Sequence, residues 1–142
     1  MDIEELLERY AAGERDFSGV DLSRTDLTGV DFSSNKLNNS ICFMEADFCN
    51  SNLSKANLYF AIFEGANLKN ANLTGAILSC ANFEGANLTN ADLTCSELTA
   101  TCFAAADLTN ANLSNSQGSF MCKDTFFYNT IMPNNTIKSG EC

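Results

Sequence analysis

Large apolar residues recur in this chain every five positions, a spacing that neither common secondary structure produces. From Phe17 the series runs through Leu22, Leu27, Phe32 and Leu37, and one extra residue enters near 38–40. It resumes at Phe43 and continues without a break to Leu113, giving twenty members, each Leu or Phe. Two residues before each large position stands a second series, dominated by Ala from Ala46 to Ala111, and the position between the two is mostly Asp or Asn. A helix returns a side chain to one face every 3.6 residues and a strand every two, so a strict period of five requires another geometry.

A unit of small, polar, large, polar, polar residues directs its first and third side chains inward, as a strand does, and turns a corner through its last two. Four units then close a square coil of 20 residues. Coils stacked at about 4.8 Å pair their backbones with one another, so twenty units give five coils over about 24 Å. The interior is narrow, which is why the small series stays small. Residues 20 apart share a side of the square, and Phe43, Phe63, Phe83 and Phe103 therefore form an internal aromatic ladder, the structural core. Counting the inserted residue places Leu22 beneath it.

The units ADFCN, SNLSK, ANLYF, ANLKN, ANLTG, ANFEG, ANLTN, ADLTC, ADLTN and ANLSN resemble pentapeptide repeats, and the resemblance spans roughly residues 15 to 115. It implies an all-β solenoid, the right-handed quadrilateral parallel β-helix. The hand of the coil comes from the resemblance and not from the spacing. The opening EELLERYAAGERDF and the closing TIMPNN are similar to those of small cyanobacterial and thylakoid-lumen members, with Asn135 here where Gly is usual.

Three segments follow. Residues 1–14 read as a helical cap, with Asp2 as N-cap, Glu5 three residues on, Ile3, Leu6, Leu7 and Tyr10 on one face and Gly13 past the end. Residues 15–117 form the β-helix with its insertion. Residues 118–142 form a C-terminal cap and tail: Gly118 falls on the next large position, Phe120 is out of phase, and Phe126, Phe127, Tyr128, Ile131 and Met132 supply apolar mass over the last coil. Cys122 and Cys142 flank this tail. A disulfide between them would close a loop, and the likeness to thylakoid-lumen members makes the pair a candidate, although no export signal accompanies it.

Chemistry is narrowly bounded. The chain has no histidine, 18 acidic and 8 basic residues and a net charge of -10, which excludes imidazole catalysis and a basic nucleic-acid surface. Asp alternates with Asn between the inward positions, so local hydrogen bonding matters there more than charge. No glycine-rich phosphate loop, serine elbow or HExxH occurs. The seven cysteines follow the repeat and lack paired metal-ligand spacing, so neither metal nor cofactor is expected. With no long apolar run and an acidic opening, the expectation is a cytoplasmic monomer without membrane contact.

What remains is a non-enzymatic protein-binding scaffold or regulatory rod with an unidentified protein partner. The outward residues Tyr59, Phe60, Glu64 and Glu84 form the candidate interaction surface, since Glu64 and Glu84 stack 20 apart and Tyr59 and Phe60 are among the least polar outward side chains. The alternative is a DNA mimic. Some family members with a similar rod resemble duplex DNA in charge and width and engage DNA gyrase, so gyrase or another DNA-binding protein would be the target.

Overall fold

A computed structural model describes residues 1–34 and 37–142. Its elements are helix α1 (Ile3–Ala11), a single 3-10 turn at Leu37–Asn39, and two strands, β1 (Phe126–Ile131) and β2 (Ile137–Glu141). Between the helix and the strands the chain winds as a square parallel coil, with four bridging positions per turn. One side of the square is the column Asp16, Cys42, Ile62, Asn82, Cys102 and Met121, and the other three begin at Asp21, Asp26 and Asp31. Five coils are complete and three sides of a sixth follow. Among the described residues no helix is long and apolar enough to cross a membrane.

Every unit makes the same backbone bonds. Phe63 donates its N–H to the Asn82 carbonyl of the next coil at 2.7 Å, Asn82 donates to Ala61 at 3.0 Å, and Gly65 donates to Glu84 at 2.8 Å. At the corner, Ala46 donates to the Phe43 carbonyl at 3.0 Å and closes a four-residue turn. The third residue of that turn, Glu45, has φ +57°, the sign pattern of a type II turn. Among the described residues Gly or Asn fills more than half of these corner positions and no Val, Ile or Thr occupies one, because a branched Cβ is strained there. This explains the tendency of the fifth residue in each unit, a preference the apolar spacing does not reveal.

The core lies inside the square. Leu, Phe and Ala at the inward positions are fully buried in continuous columns. Phe43, Phe63, Phe83 and Phe103 stack with successive ring centroids 5.4, 4.9 and 5.5 Å apart. At three small positions the hydroxyl that replaces an apolar side chain reaches a carbonyl of the coil beneath: Thr101 bonds Leu78 at 2.9 Å, Thr125 bonds Phe103 at 2.6 Å and Thr130 bonds Leu108 at 2.7 Å. These bonds remove most of the penalty for burying the oxygen.

The insertion differs from its sequence reading. Bridged residues of the first two coils are 26 apart, as in Asp16 and Cys42, against 20 in the coils above. Six extra residues therefore leave the wall between Asp31 and Cys42, in the segment that holds the 3-10 turn. Phe17, not Leu22, lies beneath Phe43, with ring centroids 6.0 Å apart. The change in register is six residues, one period plus one, so five of the six leave the spacing intact. Expectations for Asn35 and for the Leu37 side chain fall outside the described residues.

The ends also differ in detail. In α1, Asp2 caps the Glu5 N–H at 2.8 Å and Leu6 is buried, but Leu7 turns to solvent at 40% exposure. Tyr10 and Phe32 meet edge to face at 4.9 Å, and the Arg15 guanidinium lies over the Tyr10 ring at 3.9 Å. The ladder runs on past residue 117, with Cys102, Asp107 and Asn112 bridging Met121, Phe126 and Ile131 at separations of 19. One residue is missing at that corner, so the period resumes early, at Cys122, Phe127 and Met132. Phe127 is buried, whereas Phe126 and Tyr128 are 48% and 53% exposed and cover no core. Phe120 occupies a small-residue column and lies edge-on to Phe103 at 5.4 Å, where it closes the end of the aromatic ladder.

Gly118 permits that shortened corner. Its φ is +86°, and a Cβ there would stand 2.6 Å from the Thr99 nitrogen and 2.8 Å from its Cα. Gly118→Ala is expected to lower stability by about 2–4 kcal/mol through backbone overlap and left-handed strain. The opposite sign is expected for Ala100→Gly, at a corner with φ +58° and no such approach: a gain of about 0.5–1 kcal/mol from relieving the left-handed alanine, net of glycine's chain entropy. Urea midpoints at unchanged slope measure both, and a neutral Gly118→Ala would refute the shortened corner.

Candidate interaction face

The flat sides of the square present one central side chain per coil. On the two sides that begin at Asp21 and Asp26 that position is mostly Asp or Asn, and on the third it reads Asp31, Asn57, Ile77, Glu97 and Gln117. The Asp or Asn side-chain oxygen accepts the N–H two residues on: Asn87 from Thr89 at 3.1 Å, Asp92 from Thr94 at 2.9 Å and Asn112 from Ser114 at 3.0 Å. The acceptor braces each corner from outside. This is the reason Asp and Asn exchange freely along the chain.

The fourth side departs furthest from that chemistry. Its central column reads Asp16, Cys42, Ile62, Asn82, Cys102 and Met121, four of six being apolar or thiol side chains. Met121 is 54% exposed, and Cys42, Ile62 and Cys102 are half-buried. Tyr59 and Phe60 form the corner on one flank of Ile62, their rings 4.6 Å apart in an edge arrangement. Glu64 and Glu84 stand on the other flank, and the carbonyls of both lie in the ladder, accepting from Glu45 at 2.9 Å and Gly65 at 2.8 Å. The four residues singled out from the sequence thus border one face, an aromatic pair along one edge and stacked carboxylates along the other.

The two edges are not equally open. Tyr59 and Phe60 are half-buried, and the Tyr59 carbonyl accepts the N–H of Ser34 at 3.1 Å, where the six-residue excursion leaves the wall. Glu84 is exposed and Glu64 half-buried. Sequence reasoning missed the apolar column itself, since Cys42, Ile62, Cys102 and Met121 become neighbours only through the coil register. Spacings of 20 between Cys42, Ile62, Asn82 and Cys102 carried that signal.

Charge is concentrated elsewhere. Nine of the eighteen acidic residues lie within the first 31 positions, against three of the eight basic ones. Arg9 donates to Glu14 and to Glu5, and the hydrogen bonds from Arg9 hold the Glu14 carboxyl below the usual carboxylate range. Asp16, Asp21, Asp26 and Asp31, one on each side of the first coil, are likewise held low, first by side-chain hydroxyls of Ser18, Ser23, Thr28 and Ser33 and then by the backbone N–H groups of the same residues. Among the described residues no group of three His, Cys, Asp or Glu side chains is placed to hold a metal ion.

At the C-terminal end, Cys122 and Cys142 are joined as a disulfide with Cα atoms 5.6 Å apart. Cys42, Cys49, Cys80, Cys95 and Cys102 are free thiols. The Cys122 position continues the column of Phe43, Phe63, Phe83 and Phe103, one coil above the last phenylalanine.

The family model for pentapeptide repeats matches the sequence in eight copies, over residues 16–42, 41–79, 66–104 and 76–115. Among solved structures the chain is similar to the pentapeptide repeat protein Rfr23 from the cyanobacterium Cyanothece 51142, at 26% identity over 87% of this chain and 97% of that one, with a TM-score of 0.45. It is similar also to a pentapeptide repeat protein of the Arabidopsis thaliana thylakoid lumen, at 30% identity over 80% of this chain and 69% of that one, with a TM-score of 0.44. QnrB1, a plasmid-mediated fluoroquinolone resistance protein, is similar at 20% identity over 81% of this chain and 66% of that one, with a TM-score of 0.35. No curated protein matches the sequence significantly.

The four first-coil aspartates, together with Glu14, contribute to the acid side of the stability profile. Unfolded, such carboxyls titrate near about pH 4; folded, they titrate lower, so the native state binds fewer protons as the medium acidifies. Their contribution is complete above about pH 4 and is lost as pH falls through the depressed folded values. Replacing all four with Asn is expected to flatten the drop in urea midpoint between about pH 5 and pH 2. Parallel curves for the two proteins would show that the aspartates do not contribute to it.

Proposed function

Because the chain belongs to the pentapeptide-repeat family and folds as a right-handed quadrilateral β-helix, we propose that it acts as a non-enzymatic protein-binding scaffold or regulatory rod. The single observation that carries this reading is the face between the Tyr59–Phe60 edge and the Glu64–Glu84 edge. It is the one side of the square whose central column is mostly apolar or thiol. A partner protein docking there covers Ile62 and Met121 and meets carboxylates along one border, an arrangement of apolar centre and polar rim that protein interfaces share. The square wall is held in register by the ladder, so such a contact orders few side chains and little of its free energy is lost to entropy. The same reading places the protein in the cytoplasm as a monomer, without cofactor.

The alternative is a duplex-DNA mimic acting on gyrase or another DNA-binding protein, motivated by the net charge of -10. A duplex presents its charge evenly along its length. Here the acidic groups crowd the helix and first coil, while Asn fills much of the central columns above. That distribution favours the scaffold.

Capture from lysate of the source organism with three baits separates the readings: the native chain, a variant carrying Tyr59→Ser, Ile62→Asn, Glu64→Gln and Glu84→Gln, and a control with Asn72→Ser and Thr74→Ser on another side. A partner retained by the control bait and depleted on the face variant, by about tenfold or more for a loss of about 1.4 kcal/mol, is the expected result. Equal recovery on all three baits removes this face from the proposal. A gyrase supercoiling assay, inhibited at micromolar protein, would establish the mimic instead.

A further inference from the structure

We propose that the Cys122–Cys142 disulfide is a redox latch, opened by a dithiol reductant, that fastens β2 across the end of the rod. The argument begins with β1, which is paired along both edges. One edge bridges the coil beneath, through Asp107 to Phe126 and Asn112 to Ile131. The other edge pairs antiparallel with β2, Phe126 opposite Glu141 and Ile131 opposite Ile137. Strand β2 is thus the last layer of the ladder, and it covers backbone groups that would otherwise be left open.

Little besides the disulfide holds that layer down. Ile137, Ser139, Gly140 and Glu141 are exposed, and Ile137 is 71% exposed. Lys138 alone is half-buried, its Nζ 5.3 Å from the centre of the Phe127 ring. The register slips between Phe127 and Thr130, where Asn129 has φ +48°. By contrast, each coil beneath buries Leu, Phe or Ala on its sides. A strand that buries no apolar side chain draws almost nothing from the hydrophobic effect, and its water-exposed hydrogen bonds hold it weakly. The covalent bond supplies what burial does not: it ties Cys142, directly after β2, to Cys122 on the sixth coil, with a sequence separation of 20.

The bond is also reachable. Cys142 is exposed and Cys122 half-buried. A thiolate of the reductant attacks one sulfur and forms a mixed disulfide, and the second reductant thiol then displaces the cysteine. In the net reaction two electrons and two protons pass from the dithiol to the cysteine pair, leaving two protein thiols and an oxidised reductant. Release of β2 exposes the outer edge of β1, flanked by the already exposed Phe126 and Tyr128. In a reducing compartment the latch is open, and in an oxidising one it is closed.

Amide hydrogen exchange on the full chain tests this, comparing the oxidised protein with protein reduced by dithiothreitol. Reduction is expected to speed exchange across Ile137–Glu141 on the order of a hundredfold, the chain-entropy effect of opening a loop of this size, while the amides of Phe63 and Phe83 are unchanged. Cys142→Ser, at an exposed position outside the core, should behave like reduced protein without any reductant. Equal protection of β2 in both redox states would overturn the proposal. So would a loss spread through all the coils, which would make the bond a staple of the whole fold, or a Cys142→Ser chain that keeps β2 protected.

Discussion

Hydrogen bonds between successive coils set the dimensions of this rod. Each unit hands N–H groups up to one coil and down to another, as Phe63, Asn82 and Gly65 do, at 2.7 to 3.0 Å. Because those bonds fix the rise at the inter-strand distance, the width available inside the square is fixed too. The inward columns then have to alternate large and small: a phenylalanine beside an alanine fills the space, and two large residues would overfill it. Corners follow from the same requirement. To return the ladder to register after five residues, the chain passes through a left-handed residue at each turn, and an Asp or Asn oxygen outside the wall caps the corner N–H. Core, corner and surface chemistry are consequences of one repeated backbone arrangement.

A ladder of this kind has no natural end, and the chain terminates it by two different physical means. At the first coil an amphipathic helix lays Leu6 over the core, and Arg9 and Arg15 stack on Phe17 and Tyr10 while pairing with acidic or carbonyl groups. That end is held by burial and charge. At the last coil an antiparallel strand covers the open edge and a disulfide fastens it, with almost no burial. The ends therefore answer to different variables, the first to acidity through Glu14 and the first-coil aspartates, the second to redox state. Neither response disturbs the middle coils, since each coil contacts only its neighbours.

Much of this was legible in the sequence because the repeat is local. Each pentapeptide carries its own inward pair, its own corner and its own capping oxygen, so the side-chain orientation at Phe63 or Ala81 needs no knowledge of distant residues. The same reasoning weakens where the pattern changes by one. Between Phe32 and Phe43 the spacing shows a single extra residue, yet six leave the wall, because the five-residue part of the excursion is invisible to a five-residue period. Past Leu113 the pattern looks lost, yet it has shifted by one, and the spacing of Cys122, Phe127 and Met132 marks its return. The candidate face was half legible: Glu64 and Glu84 align by arithmetic, but the apolar column between the edges depends on which coil lies over which.

By itself, then, the sequence determined the unit: which residues point inward, where the chain turns, why the interior holds Ala beside Leu or Phe, and that four units close a coil. These are properties of a few neighbouring residues and of the sterics of the left-handed corner. Only the tertiary structure decided the register between coils, and with it Phe17 beneath Phe43, the column from Cys42 to Met121, and the meeting of Cys122 with Cys142. Register is a relation between segments 19, 20 or 26 residues apart. It is fixed by backbone pairing across the stack, and a single insertion or deletion resets it for every residue that follows.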